Sequence, residues 1–300
     1  MGLKLHKYIN LNNKKFSAKF LNQSLPLIYI FFNFLYRSFV VNNKMNDNEI
    51  KQFHKSGFTK INISFKDEIE EYKDKFFLRN NVSNENKKSA VLELSDDDKK
   101  NFSIKIKKKL SPLLDKLKIY FNCDVIISSI RATRNYNHKD AFNFEEEHYS
   151  NHFHQDSYLM TYNKIFINLM DINENDGPLE IIPRENRNLF IKSFNYKHRR
   201  DYNLHGDKSL IKKNIGKLGD CCLFSSPQIF HRAGVPEDYR DNMQIILVTV
   251  PRYFSDGLDK IDHIELFENK ESLFFKFTKP YSIKKVIRLF FSHLKYKLNG

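Results

Sequence analysis

Tryptophan is absent from this 300-residue sequence, and cysteine is scarce. The three cysteines, Cys123, Cys221 and Cys222, show none of the CxxC or Cys/His spacings that hold zinc. Cys221 and Cys222 are adjacent, and neighbours on a strand face opposite ways, which argues against a disulfide or a shared metal between them. This usage fits a reducing, cytoplasmic setting with thiols that serve as packing. No internal repeat and no low-complexity linker marks a second globular unit. A membrane-spanning run is also missing. The apolar aromatic stretch Leu25 to Val41 contains Pro26, Asn33 and Arg37, and a spanning helix needs about twenty predominantly apolar residues. No small-residue cleavage site follows it, as one would after a signal peptide. The expectation is a helix that packs on the domain or lies at a membrane surface.

Acidic charge falls short of basic charge, giving a net +14. That favours an anionic partner: nucleic acid, anionic lipid, or a phosphorylated or carboxylated substrate. A compositional bias towards Lys, Asn and Ile explains the charge equally well. Nucleic acid has no support beyond charge, because no recognition helix or RNP-like motif is present. The basic N-terminal segment (Lys4, Lys7, Lys14, Lys15, Lys19) and the C-terminal tail leave peripheral membrane contact open. In that tail Ile283, Val286, Ile287, Phe290 and Leu294 share a helical face, and Lys284, Lys285, Arg288 and Lys295 lie on the other. The alternative is a terminal helix packed on the domain with its charges in solvent.

What the sequence has in plenty is apolar bulk, 41% of residues, much of it in 28 Phe and 15 Tyr. From Asn46 to about Asn122 the spacing is mainly helical. It predicts a short helix from Asn48 ending at Gly57, a strand in the second half of Phe58–Phe65 (Ile61, Ile63, Phe65), and a helix over Glu68–Leu78. After a polar loop at Ser83–Lys88, Asp96–Asp98 begin a helix through Ile104, Ile106, Leu110 and Leu117. These acidic residues suit the positive end of its dipole, and Pro112 should kink or split it. The period then changes to that of strands. They are expected at Val125–Arg131, Lys164–Met170, Leu179–Ile182, Leu189–Ile191, Cys221–Phe224, Ile229–His231 and Gln244–Val250. Turn signals separate them at Asn175-Asp176-Gly177-Pro178, Leu218-Gly219-Asp220, Ser226-Pro227 and Gly234-Val235-Pro236. Short strands without long helices between them predict a mainly β, antiparallel sandwich or barrel with flanking helices.

Within that pattern one stretch carries chemistry. His148-Tyr149-Ser150-Asn151-His152-Phe153-His154-Gln155-Asp156 ends in a histidine and an aspartate two apart, so on an extended strand both side chains leave from one face. One more histidine would complete a 2-His-1-carboxylate facial triad, which suits non-haem Fe(II) because it leaves coordination positions open. His231, near the end of a predicted strand, is the candidate. A lone histidine in an apolar strand reads by default as a core residue, and it is the pairing with His154 and Asp156 that changes this. A local cluster of His148, His152 and His154 would leave the segment around His231 unexplained.

His154-Gln155-Asp156, the run Phe166 to Pro183 with its Asn-Asp-Gly-Pro-Leu-Glu turn, Gly219-Asp220, and His231-Arg232-Ala233-Gly234, in this order, resemble the phytanoyl-CoA dioxygenase family. The resemblance covers roughly residues 120–250. It implies a double-stranded β-helix (jelly-roll or cupin-like) core, with Fe(II) held by His154, Asp156 and His231 and 2-oxoglutarate as co-substrate. It also implies a basic residue after the distal histidine to pair with the co-substrate carboxylate. Arg240 fills that description nine residues on, whereas relatives more often place it about eleven on, where this chain has Asn242. Gln244 could also face inward, and Phe166 matches an aromatic position that lines the co-substrate pocket in relatives, with core packing as its alternative. Partners should orient the ligand histidines, and Gln155, on the opposite face, is not an obvious one. Arg131 and Arg134 either hold an anionic substrate or stand in solvent, and Tyr149 and Tyr158 flank the motif.

The implied organisation is an extension over 1–45, a dioxygenase domain over 46–255 and a basic amphipathic tail over 256–300. The implied reaction is hydroxylation of a small-molecule or lipid- or sugar-linked substrate, with release of succinate and CO2. The competing expectation is a non-catalytic β-helix binding protein at a membrane surface or on an anionic partner.

Overall fold

Apolar alternation makes ten strands: β1 (Phe58–Ile61), β2 (Phe77–Leu78), β3 (Ser89–Glu93), β4 (Asp124–Tyr136), β5 (Tyr162–Asn168), β6 (Leu179–Ile182), β7 (Lys212–Lys213), β8 (Cys221–Phe224), β9 (Phe230–Ala233) and β10 (Tyr239–Val250). They appear in a computed structural model that describes residues 28–79, 89–137, 151–156, 158–196, 205–251 and 283–299. The basic segment 1–24, the expected loop at 83–88, and His148, Tyr149 and residues 145–147 lie outside the described residues. A seven-stranded sheet runs β1-β8-β5-β10-β4-β3-β2, and a three-stranded sheet runs β7-β6-β9. Every pairing is antiparallel. This is the two-sheet, mainly β architecture expected of a double-stranded β-helix core.

The register decides what each face does. Ile165 pairs with Ile245 and Ile167 with Met243, and these side chains join the large core cluster. Their neighbours Phe166, Cys222 and Phe224 point the other way, into a second cluster with Leu179 and Ile181 of the small sheet and Ile229 just before β9. Successive strand residues alternate faces, so the space between the sheets is lined by Lys164, Phe166 and Asn168 of β5 and by their partners on β10. Cys221 and Cys222 fall in different clusters, and all three cysteines are buried free thiols.

Among the described residues, six helices flank the sheets: α1 (28–35, continued by a π-helical turn Tyr36–Val40), α2 (Asn48–Ser56), α3 (Lys66–Tyr72), α4 (Asp96–Phe121), α5 (Arg187–Ser193) and α6 (Ile283–Asn299). Asp47 caps α2 through the Ile50 amide, and Gly57 ends it at φ 69°. Ser95 caps α4 through the Asp98 amide. Helix α4 buries Ile106, Leu110 and Leu117 completely in the main core, each contributing about 1.5–3 kcal/mol by burial. Both α1 and α6 enter the same core, through Tyr29, Phe32, Tyr36 and Val40 and through Val286, Leu289 and Phe290.

The structure corrects four local expectations. Leu189–Ile191 is not a strand but part of α5, with Phe190 buried and Leu189 57% exposed; three apolar residues satisfy either period. The strand in Phe58–Phe65 is its first half, because Phe58–Ile61 finds a partner in β8. The helix expected to reach Leu78 stops at Tyr72 and gives way to a 3-10 turn and β2. Helix α4 is not split at Pro112 but continues to Phe121. Both Pro112 and Lys108, whose carbonyl the proline leaves without an amide, are exposed, so water can satisfy the gap.

Candidate metal centre

Two sequence motifs meet because of one close backbone approach. Gly177 sits at φ 60°, and a Cβ there would lie 2.4 Å from the backbone of Val235 and Pro236. Only glycine fits. The Gly234 amide donates to the Pro178 carbonyl at 3.1 Å, which registers β6 against β9 and sets His231 opposite Ile181. His231 therefore faces the space between the sheets, while Arg232 faces away, ion-paired with Glu180 at 2.6 Å.

The segment carrying His154 lies along the other side of β9. The His154 amide donates to the His231 carbonyl at 3.0 Å, and the His231 amide to the His154 carbonyl at 2.9 Å. This isolated antiparallel bridge puts both imidazoles on one side, with ring centroids 4.4 Å apart. Asp156, two residues on, is fixed by its amide to the Ser226 carbonyl at 3.1 Å. Phe153 points outward into an aromatic cluster with Phe190, Phe194 and Phe230, which pins the alternation. Ligand atoms of His154, Asp156 and His231 all lie within 4.8 Å of one another.

The chemistry of these donors fits a divalent transition metal. His154 Nδ1–H donates to the His152 carbonyl at 2.8 Å, and His231 Nδ1–H points to the Ile229 carbonyl at 3.4 Å. Each contact leaves the lone pair on Nε2, the usual way a second partner orients a ligand histidine. Burial, with His154 beside it, holds the His231 imidazole well below its ordinary value, so it is neutral. Burial alone would raise the Asp156 carboxyl, but the Lys164 ammonium outweighs it and holds it well below the usual carboxylate range. His154 Nε2 stands 3.6 Å from Asp156 Oδ1; bonds of about 2.0–2.2 Å place adjacent ligands about 3 Å apart.

Sequence reading missed Lys164. Its ammonium lies 2.9 Å from Asp156 Oδ2, and both side chains are largely buried. The ammonium takes one carboxylate oxygen and leaves the other facing His154. The signal lay in the alternation of Lys164, Phe166 and Asn168 on one face of a strand whose other face is apolar.

From His231 the space continues past Phe224, 5.5 Å from the imidazole by ring centroids, to Phe166. Beyond it stands Arg240, its guanidinium carbon 6.0 Å from the Phe166 ring. Arg240 is 2% exposed. It is not the solvated loop charge that the flanking Asp238 and Asp241 suggest, but a residue of β10. Asn242 and Gln244 share its face, opposite Asn168 and Phe166. The Asn168 and Asn242 Nδ2 atoms are buried donors without a hydrogen-bond partner. Thr133 donates to Asn242 Oδ1 at 3.2 Å, and Asn214 to Asn168 Oδ1 at 3.3 Å, so both amide nitrogens are directed elsewhere. Arg131 pairs with Gln244 across the sheet, whereas Arg134 forms a two-point pair with Asp241. His152 is buried and lends only its carbonyl to the centre.

No family model matches the sequence, and no curated protein matches it. Among solved structures, HygX from Streptomyces hygroscopicus with nickel, 2-oxoglutarate and hygromycin B bound is 12% identical, with a TM-score of 0.46 over 69% of this chain and 88% of that one. The non-haem alpha-ketoglutarate-dependent epimerase SnoN from nogalamycin biosynthesis is 10% identical, with a TM-score of 0.45 over 67% and 82%. EctD from S. alaskensis with bound Fe is 15% identical, with a TM-score of 0.43 over 70% and 81%.

Proposed function

We infer that this chain is an Fe(II)- and 2-oxoglutarate-dependent oxygenase that hydroxylates a small-molecule or lipid- or sugar-linked substrate, with release of succinate and CO2. One observation carries the reading: His154, Asp156 and His231, drawn from two separate segments, converge with two imidazoles, that of His231 kept neutral by burial, and one ionised carboxylate, the donor set of a facial triad. With iron and 2-oxoglutarate bound there, O2 would be the oxidant, one oxygen atom entering the substrate C–H bond as hydroxyl and the other entering the succinate formed as 2-oxoglutarate loses CO2.

The chain's own part is to bind and orient. His154 and His231 present Nε2 because their Nδ1 atoms face backbone carbonyls. Lys164 holds Asp156 so that one oxygen serves as ligand. Arg240, with the Asn168 and Asn242 amides beside it, forms a buried set of donors suited to a carboxylate. Phe166 and Phe224 supply apolar walls that keep water from the centre.

Anaerobic titration with Fe(II) and 2-oxoglutarate should give a weak visible charge-transfer band, and His231→Ala should abolish it. If no band forms and calorimetry detects no 2-oxoglutarate binding, the enzyme reading fails and a binding protein on the same scaffold is left.

A further inference from the structure

The net charge of +14 is not spread over the chain. Residues 1–46 contain seven Lys or Arg and no Asp or Glu, and residues 272–300 likewise contain seven and none. The residues between balance at 36 basic and 36 acidic. The β-body is therefore neutral, and the two ends carry the whole excess.

The described parts of those ends pack against each other. Phe32 of α1 meets Phe290 of α6 at 5.4 Å, and Tyr36 meets Phe290 at 5.2 Å. The Tyr36 hydroxyl stands 3.0 Å from His293 Nδ1, and Lys297 Nζ donates to the carbonyls of Phe39 and Val41. The pair is joined to the body as well: the Asn33 side chain donates to the Tyr158 carbonyl at 3.0 Å and accepts from the Met160 amide at 2.6 Å.

What the pair leaves uncovered is unlike the rest of the described surface. Of twelve exposed large apolar residues, eight lie on α1 and α6: Ile30, Phe31, Phe34 and Phe39, and Ile283, Ile287, Phe291 and Leu298. Phe34 is 64% exposed and Phe291 58%. At about 100° per residue, Ile283, Ile287, Phe291 and Leu298 fall in one sector of α6, and Lys284, Arg288 and Lys295 fall in the sector beside it. Neither helix contains an acidic residue. An apolar ridge flanked by a basic rail is the surface that dips into a bilayer interface while its cations meet anionic headgroups. No helix among the described residues is long and apolar enough to cross a membrane, so the geometry is that of a helix pair lying on a surface.

We propose that α1 and α6 form a docking face for an anionic lipid bilayer. The occupant is chosen by charge: a second copy of this chain would bring the same basic rails together, whereas an anionic surface neutralises both. This proposal does not depend on the reading of the metal centre.

The test is co-sedimentation of the full chain with phosphatidylcholine vesicles, with and without phosphatidylserine. Binding is expected only with phosphatidylserine and should weaken as salt is raised. Neutralising Lys284, Arg288 and Lys295 to Gln removes three charges and should weaken binding about a hundredfold. Phe34→Glu with Phe291→Glu should abolish it, with circular dichroism and melting temperature unchanged because both positions are exposed. Equal binding to neutral vesicles would overturn the proposal. So would a failure to bind either vesicle, whether the chain is a dimer that Phe291→Glu dissociates, which identifies a second copy as the occupant, or a monomer, which leaves the face to another segment of the same chain.

Discussion

Replacing Lys164 with methionine keeps the length of the side chain and removes its charge. In the metal-free protein this strands the Asp156 carboxylate, which has the ammonium at 2.9 Å and is only 15% exposed. Breaking a buried pair from one side costs about 3–5 kcal/mol, because the remaining charge has lost both water and partner. Residual exposure puts this pair at the lower end, about 3 kcal/mol. In a chain of this size each kcal/mol moves the melting temperature by about 2 °C, so Lys164→Met should melt about 6 °C lower than the parent in the presence of a chelator. Mn(II) should recover more of that loss in the variant than it adds to the parent, because the ion supplies the missing positive charge. Asp156→Asn in the same background should cancel most of the penalty, since a neutral amide needs no counter-ion. Differential scanning fluorimetry on the parent, Lys164→Met, Asp156→Asn and the double variant, with chelator and with Mn(II), measures the whole cycle. A Lys164→Met variant that melts within about 1 °C of the parent with chelator would show that the pair contributes nothing, and the account of how Asp156 is held would fall.

Two further outcomes follow from buried groups. His293 is fully buried, and burial lowers its value from 6.5 to about 4. Between those values the unfolded chain binds the proton and the folded chain does not, so stability is intact above pH 6.5 and is lost as pH falls towards about 4. At about 1.4 kcal/mol per unit the loss totals about 3 kcal/mol, and urea titrations across that range should show His293→Gln with a shallower slope. Asn242→Asp places a carboxylate among the donors beside Arg240, and calorimetry should find 2-oxoglutarate binding at least about tenfold weaker, while Mn(II) binding at the triad is unchanged.

The cluster of His154, Asp156 and His231 was legible because its signal is local and redundant. His154 and Asp156 keep the two-residue spacing of a strand face, and the order of the motifs around Asp156, Gly177 and His231 resembles a family in which the third histidine joins them. The central strands were legible from their apolar period, which is why β6 and β8 match their expected bounds. Errors arose where a short run satisfies two periods, as at Leu189–Ile191, or where the environment settles what propensity leaves open, as at Pro112. Lys164 was obscured by chemistry of another kind, because a lysine within a strand reads as solvent-facing. Only the pairing of β5 with β10 and β8, made across a long stretch of chain, encloses it. Arg240 was singled out by its place after the distal histidine, and its burial comes from its position on β10.

The Asn33 amide spans two backbone groups just beyond Asp156. A chain truncated to begin at residue 46 would lose both of these hydrogen bonds within four residues of Asp156. The smallest unit expected to keep the His154, Asp156 and His231 cluster in place thus begins upstream of residue 33, inside a stretch that composition alone sets apart as an appendage.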